Sequence, residues 1–166
     1  MAACSIAIIS DTHLPRGDRT LPTECLSRLR AADLIIHAGD LTAVSVLEQL
    51  RGIGDVAAVH GNVDEAAVRT LVPARLELPV GGVRLGVVHD AGPARGRLER
   101  LRRSFNRADA VIFGHSHIPL LERDEATGFQ IFNPGSPTDK RRQPRCTMGW
   151  AQASGDEISF EIVNLG

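Results

Sequence analysis

The sequence predicts an α/β fold, and three features carry that prediction. Short β-branched apolar runs alternate with helically spaced segments over the first sixty residues, which implies parallel strands joined by crossovers. A Gly81-Gly82 pair then separates two strand-like runs, as in a hairpin. Beyond residue 120, turn signals recur at Thr127-Gly128, Asn133-Pro134-Gly135-Ser136 and Ser154-Gly155-Asp156. No repeat or linker interrupts the 166 residues, so one domain over 1–166 is expected.

Cys4 to Ile9 is an apolar run that reads as a buried strand. Pro22 to Arg30 places Leu21, Cys25, Leu26 and Leu29 at helical spacing. Asp33 to His37 is a second strand, Leu41 to Leu50 a helix closed by Gly52, and Val56 to Val59 a third strand. Arg75 to Val80 and Val83 to Val88 form the hairpin, Arg97 to Phe105 a basic helix with Leu98 and Leu101 inward, and Ala110 to Phe113 another strand. The segment from Leu120 to Val163 reads as short antiparallel strands forming a second sheet packed on the first.

Composition narrows the function classes. The chain is 43% hydrophobic and 23% charged, with formal net charge -1, so no global attraction to nucleic acid or membrane is expected. No apolar run approaches a membrane span, and the N-terminus lacks a signal-peptide pattern. Cys4, Cys25 and Cys146 form no close pair, so core thiols in a reducing cytoplasm are expected. Arg97 to Arg107 and Lys140-Arg141-Arg142 are basic, but the chain has no tyrosine for stacking, which disfavours polynucleotides.

The chemistry lies in the punctuation. Each strand-like run ends in polar residues: Asp11 and His13, Asp40, Asn62, His89, then His115 and His117. Parallel strands bring their C-terminal ends to one sheet edge, where α/β ligand sites form. Taken singly, Asp-x-His, Gly-Asp and Gly-Asn are ordinary turn sequences. His115-Ser116-His117 is more specific, because an extended segment projects both rings to one side. Carboxylate, amide and imidazole together suit divalent manganese, iron, zinc, nickel, cobalt or magnesium, with manganese preferred. Asp40 is the expected bridge between two cations. Gly39, Gly61 and Gly114 each precede a candidate ligand, where glycine permits tight turns and close backbone approach. His37 and His60 read as packing residues behind the ligands. Arg16, Arg19, Arg95 and Arg97 are loop candidates for a phosphate clamp.

These motifs resemble the calcineurin-like metallophosphoesterases, in particular the small phosphodiesterases related to Vps29. The pattern D-x-H, G-D, G-N-x-D/E, a lone His and G-H-x-H reads here as Asp11-Thr12-His13, Gly39-Asp40, Gly61-Asn62-Val63-Asp64, His89 and Gly114-His115-Ser116-His117. Asn133-Pro134-Gly135-Ser136 is similar to a further family segment. The resemblance implies a four-layer α-β-β-α sandwich with two mixed sheets flanked by helices. It implies one metal on Asp11, His13, Asp40 and His117, and a second on Asp40, Asn62, His89 and His115. Asp64 would orient a ligand, and Asp40, Asn62, Asp64 and His89 make up the expected catalytic group. Larger family members carry a proton-donating histidine where this chain has Val63.

The expected activity is hydrolysis of a small-molecule phosphodiester, or a phosphomonoester, by a hydroxide bridging two divalent metals. Protons should compete with metal for the histidines, so activity should fall below about pH 6. The alternatives are a Vps29-like protein-binding scaffold and a metal-dependent nuclease. Scaffold members tend to lose the metal-binding histidines, and all four are retained here. A homo-oligomer is compatible with the sequence.

Overall fold

The computed structural model describes residues 2–166. Among them are ten strands and four helices, β1 (Cys4–Ile9), α1 (Thr23–Ala31), β2 (Leu34–His37), α2 (Val44–Ile53), β3 (Val56–Ala58), α3 (Ala66–Leu71), β4 (Arg75–Val80), β5 (Val83–Val88), α4 (Arg97–Ser104), β6 (Ala110–Ile112), β7 (Leu120–Arg123), β8 (Gln130–Asn133), β9 (Thr147–Ser154) and β10 (Glu157–Asn164). They build two mixed five-stranded sheets, ordered β10-β9-β1-β2-β3 and β4-β5-β6-β8-β7.

Alternation along the strands creates the layers. Ile6 and Ile8 of β1 face the space between the sheets, where they meet Leu85, Val87, Ile112 and Phe132. Ala7 and Ile9 face the opposite side, against Leu29, Leu47 and Val68 from α1, α2 and α3. On the outer face of the second sheet, Val111 and Ile131 pack with Leu101 of α4 and Phe105. The order is helices, sheet, sheet, helix: the four-layer sandwich expected from the resemblance.

Several expectations need correction. α2 starts at Val44, three residues later than predicted, because Leu41 and Thr42 belong to the loop at the sheet edge, where Thr42 bridges Leu14. Gly52 lies inside that helix, and Gly54 follows it. α3 was not predicted; six residues are too few to display a helical period. The C-terminal strands are divided between the two sheets. β7 and β8 complete the second, whereas β9 and β10 form a hairpin of two eight-residue strands that pairs β9 antiparallel to β1 in the first. β8 also runs parallel to β6, not antiparallel as expected. Which sheet an amphipathic hairpin joins depends on partners distant in sequence, and local pattern does not encode them.

The hairpin β4–β5 has the predicted bounds, with Val80 opposite Val83. β1, β2 and β3 are parallel and in register, so their last residues, Ile9, His37 and Ala58, deliver the following loops to one edge. β5 and β6 are also parallel, and the loop after β6 meets the loop after β1.

Candidate metal centre

The ladder between β1 and β2 continues past the strands. Asp11 N–H donates to Gly39 O (2.9 Å), His13 N–H to Asp40 O (3.1 Å) and Leu14 N–H to Leu41 O (3.2 Å). This draws Asp11 and His13 against Asp40. The cost is backbone strain. Among the described residues seven non-glycine residues have φ between 48° and 93°, and five of them are Asp11, His13, Asp40, His115 and His117. Left-handed backbone at non-glycine residues persists only where surrounding structure enforces it. The His-x-His segment is therefore not extended. His115 (φ 71°) and His117 (φ 61°) turn their rings into different halves of the site.

The three glycines act mainly through space. A Cβ on Gly39 (φ 101°) would lie 2.5 Å from His89 Nδ1, one on Gly61 would collide with the Asp40 carboxylate, and one on Gly114 would collide with the Ser10 hydroxyl. Only Gly39 also needs the left-handed backbone.

All seven predicted ligands meet. His13 Nε2 lies 3.5 Å from Asp40 Oδ2 and 3.9 Å from Asp11 Oδ1. His117 Nε2 is 3.6 Å from Asp11 Oδ1. His89 Nε2 is 3.2 Å from Asp40 Oδ2 and 3.7 Å from Asp11 Oδ1. Asn62 Oδ1 lies 3.1 Å from His89 Nε2 and 3.2 Å from His115 Nδ1. The rings pair accordingly, His13 with His117 at 5.2 Å and His89 with His115 at 5.3 Å between centroids. Two triads, Asp11–His13–His117 and Asp11–Asp40–His89, each hold their ligand atoms within 4.8 Å of one another. Asp11 thus reaches both halves, as Asp40 does.

The donor set fits a cation better than it fits itself. His89 Nδ1 donates to Ala38 O (2.7 Å) and His117 Nδ1 to Asp139 O (2.5 Å). Each neutral ring then turns the lone pair of Nε2 toward carboxylate and amide oxygens, which are also acceptors. Asp11 Oδ1, His13 Nε2 and His117 Nε2 are buried and have no hydrogen-bond partner. A buried acceptor left without a donor costs roughly 1–3 kcal/mol, and a divalent cation would satisfy all three.

Without metal, protons take part of that role. The adjoining Asp11 and Asp40 carboxylates raise the His13 pKa to about 9. Burial opposes ionisation of Asp40, but contacts with His13, His89 and Val63 N–H outweigh it and hold the carboxyl far below its usual range. Burial likewise opposes ionisation of Asp11, and His13, His89, His117 and Ser10 outweigh it. Burial lowers the His89 pKa, but Asp40 and Asp11 raise it further, for a net rise; His117 is lowered, chiefly by burial. Proton competition at His13 therefore begins well above the pH 6 expected from an ordinary histidine.

A frame of hydrogen bonds holds these groups. Asp64 accepts from Gly61 N–H (2.6 Å), Asp40 N–H (3.0 Å) and Thr42 N–H (2.6 Å), tying the Gly-Asp loop to the Gly-Asn loop. Asp11 Oδ2 accepts from Ser10 Oγ (2.7 Å) and His115 N–H (3.0 Å), joining the two sheets. His37 is buried and satisfied, accepting from Gly39 N–H (3.1 Å) at Nδ1 and facing Thr12 Oγ1 (3.0 Å) at Nε2. His60, half-buried, donates its N–H to Pro73 O (2.9 Å).

Other supporting groups were missed in the sequence. Arg69 donates to Gly61 O, Asn62 O and Asp64 O, each at 3.1 Å, and Ser136 Oγ donates to Asp11 O (2.9 Å). The Asn-Pro-Gly-Ser turn was the one available signal for Ser136; the orienting carbonyls of Ala38 and Asp139 have none. The arginine clamp is not assembled. Arg16 and Arg95 are exposed, Arg19 lies 3.9 Å from Asp139, and Arg97 is the first residue of α4 and covers the Phe113 ring at 5.0 Å. Of the cysteines only Cys25 is a core residue, its thiol pushed up to about 12 by burial; Cys4 and Cys146 are half-buried.

A two-sheet sandwich with carboxylates, an amide and imidazoles at its loop edge is the architecture of a metallophosphoesterase. The chain belongs to the calcineurin-like phosphoesterase superfamily, whose domain profile matches residues 4–156. A probable metallophosphoesterase of Methanothermobacter thermautotrophicus is 32% identical over 163 residues, covering 97% of this chain and 92% of that protein. Among solved structures, Vacuolar Protein Sorting 29 of Cryptosporidium parvum superposes with TM-score 0.85 at 19% identity, covering 99% of this chain and 92% of that one. A solved archaeal phosphodiesterase superposes with TM-score 0.71 at 20% identity, covering 96% and 99%. The family and its relatives support a metal-dependent phosphoesterase. No described helix is long and apolar enough to cross a membrane.

Proposed function

We propose that this chain, as one domain over residues 1–166, is a dinuclear-metal phosphodiesterase acting on small phosphoesters in the cytoplasm. The observation that supports it most is the meeting of Asp11 Oδ1, His13 Nε2 and His117 Nε2 as buried atoms without partners. Asp11, His13, Asp40 and His117 would hold one cation, and Asp40, Asn62, His89 and His115 the other. Asp40 is the residue suited to serve both, since its Oδ2 is 3.5 Å from a histidine of one half and 3.2 Å from one of the other. Two metals supply Lewis acidity toward a phosphoryl oxygen and a water acidified to near neutrality. Manganese is the proposed metal, and carboxylate and amide oxygens beside imidazole, without thiolate, are donors compatible with it.

The chain's own residues set the rest. Ala38 O and Asp139 O fix the ring tautomers, so the Nε2 lone pairs of His89 and His117 stay available. Asn62 contributes an oxygen without charge, which keeps the centre electropositive toward an anionic substrate. Val63 follows Asn62 and carries no proton to donate. The leaving oxygen therefore takes its proton from water, and esters with acidic leaving groups react fastest.

The test is hydrolysis of bis(p-nitrophenyl) phosphate after chelation and after reloading with manganese, zinc, nickel, cobalt or magnesium, with metal content measured. Two metals per chain and metal-restored turnover are expected. Tight binding of two metals without turnover under any of them would favour a scaffold.

A further inference from the structure

The loop after Ser136 carries charge that the metal centre does not use. Lys140, Arg141, Arg142 and Arg145 are four cations within six residues that contain no acid, in a chain of net charge -1. All four are exposed, and among the described residues none pairs with a carboxylate. The loop's own carboxylate, Asp139, faces inward, 3.9 Å from Arg19 Nη1 and 4.0 Å from His117 Nδ1.

This loop is fixed to the site. Ser136 Oγ donates to Asp11 O and accepts from Asp139 N–H (2.8 Å), and Thr138 Oγ1 donates to Thr12 O (2.7 Å). Asp139 O takes the His117 ring N–H. Two residues on, Arg141 sits in a turn closed by Gln143 N–H to Lys140 O (2.9 Å). Arg141 is also left-handed (φ 49°); every other described non-glycine residue with positive φ lies in the loops of the candidate metal centre. Left-handed backbone at an arginine is unfavourable, and here it belongs to a loop whose first part, Ser136 to Asp139, is tied to Asp11, Thr12 and His117.

We propose that Arg141, with Lys140 and Arg142, is a specificity element for an anionic group on the substrate beyond the scissile phosphoester. The substrate class is a small phosphodiester whose retained ester group bears a second phosphate. The inference rests on the phosphoesterase reading above. In the reaction, water adds to phosphorus, the P–O bond to the leaving group breaks, and the leaving oxygen takes a proton. The second phosphate stays on the retained group, held by the loop through charge-assisted hydrogen bonds.

The test compares two esters with the same leaving group, thymidine 5′-(p-nitrophenyl phosphate) and its 3′-phosphorylated form, on the manganese-loaded protein. The wild type should prefer the 3′-phosphate ester by about tenfold in kcat/KM, and less at high salt. Arg141→Gly, which keeps the left-handed backbone available, should abolish most of that preference, and Arg141→Lys should restore part of it. An unchanged preference in Arg141→Gly, or no preference in the wild type, overturns the proposal. If neither ester turns over with any metal, the phosphoesterase reading fails instead. Calorimetry with pyrophosphate and orthophosphate then decides about the loop: a pyrophosphate preference lost in Arg141→Gly sustains it, and equal binding overturns it.

Discussion

The two halves of the candidate metal centre differ in what surrounds them. Asp11 and His117 are buried at 0% and 1% exposure, and His13 is largely covered. In the other half His89 is buried, but Asn62 and His115 stand in solvent. The first half is set between the two sheets, with Asp11 tied to the loop after β6 and His117 to the carbonyl of Asp139. The second hangs on the Gly-Asn loop, which Arg69 and Asp64 brace from behind. A buried donor set is preorganised and shielded from water, so it binds a cation more tightly; an exposed one exchanges it more readily and meets the substrate first.

Removing what the halves share should erase the difference. Asp40→Asn is expected to weaken both sites and lower turnover by at least about 10²-fold, measured by metal content and bis(p-nitrophenyl) phosphate hydrolysis. Retention of two tight metals would mean that Asp11, which also reaches both halves, is the bridge. The separate halves give the sharper contrast. His117→Ala should lose the tightly held metal, whereas His115→Ala should keep one metal per chain and lose the weaker one, as read by calorimetric titration. Identical stoichiometry in the two variants would break the comparison.

Asp64→Asn should act on the frame. Replacing one carboxylate oxygen by an amide N–H sets a donor against backbone donors, costing about 1–3 kcal/mol of stability in a denaturant titration. Metal affinity should fall by about tenfold, mostly in the exposed half.

The smallest effect is a pH dependence of opposite sign in metal-free and metal-loaded protein. The His13 pKa is raised to about 9 in the folded chain, so its stabilisation is complete below its ordinary value near 6.5 and is lost as pH rises through about 9. The melting temperature of metal-free protein should fall over that window. Metal affinity should rise over the same window, because the proton on His13 no longer competes. His37 works in the other direction at acid pH. Burial lowers its pKa to about 4, so its contribution is present above 6.5 and is lost as pH falls toward 4. A metal-free melting temperature that is flat from pH 6.5 to 9 would remove His13 from this account.

Much of the fold and the site was legible before any coordinates. Periods of two and of about 3.6 in apolar residues placed β1, α1, β4, β5 and α4 to within a residue or two. Those features are local: a strand buried on both faces needs a continuous apolar run, and Gly81-Gly82 needs no distant partner to turn. The seven candidate ligands were legible as one cluster for a related reason. Each sits where a strand must stop, and parallel strands stop at the same edge. α3 was hidden by its length, and the start of α2 by a loop that uses Leu41 and Thr42 for the site.

The sequence by itself determined the alternation of elements and the identity of the polar residues at the strand ends, because both are written in neighbouring residues. Only the tertiary structure decided which sheet received β9 and β10, which half of the centre each histidine of His115-Ser116-His117 entered, and which carbonyls fixed the rings of His89 and His117. Those outcomes depend on contacts between residues as far apart in the chain as Cys4 and Ala153. They also depend on left-handed backbone that no local preference would choose, and that the packed sheets impose.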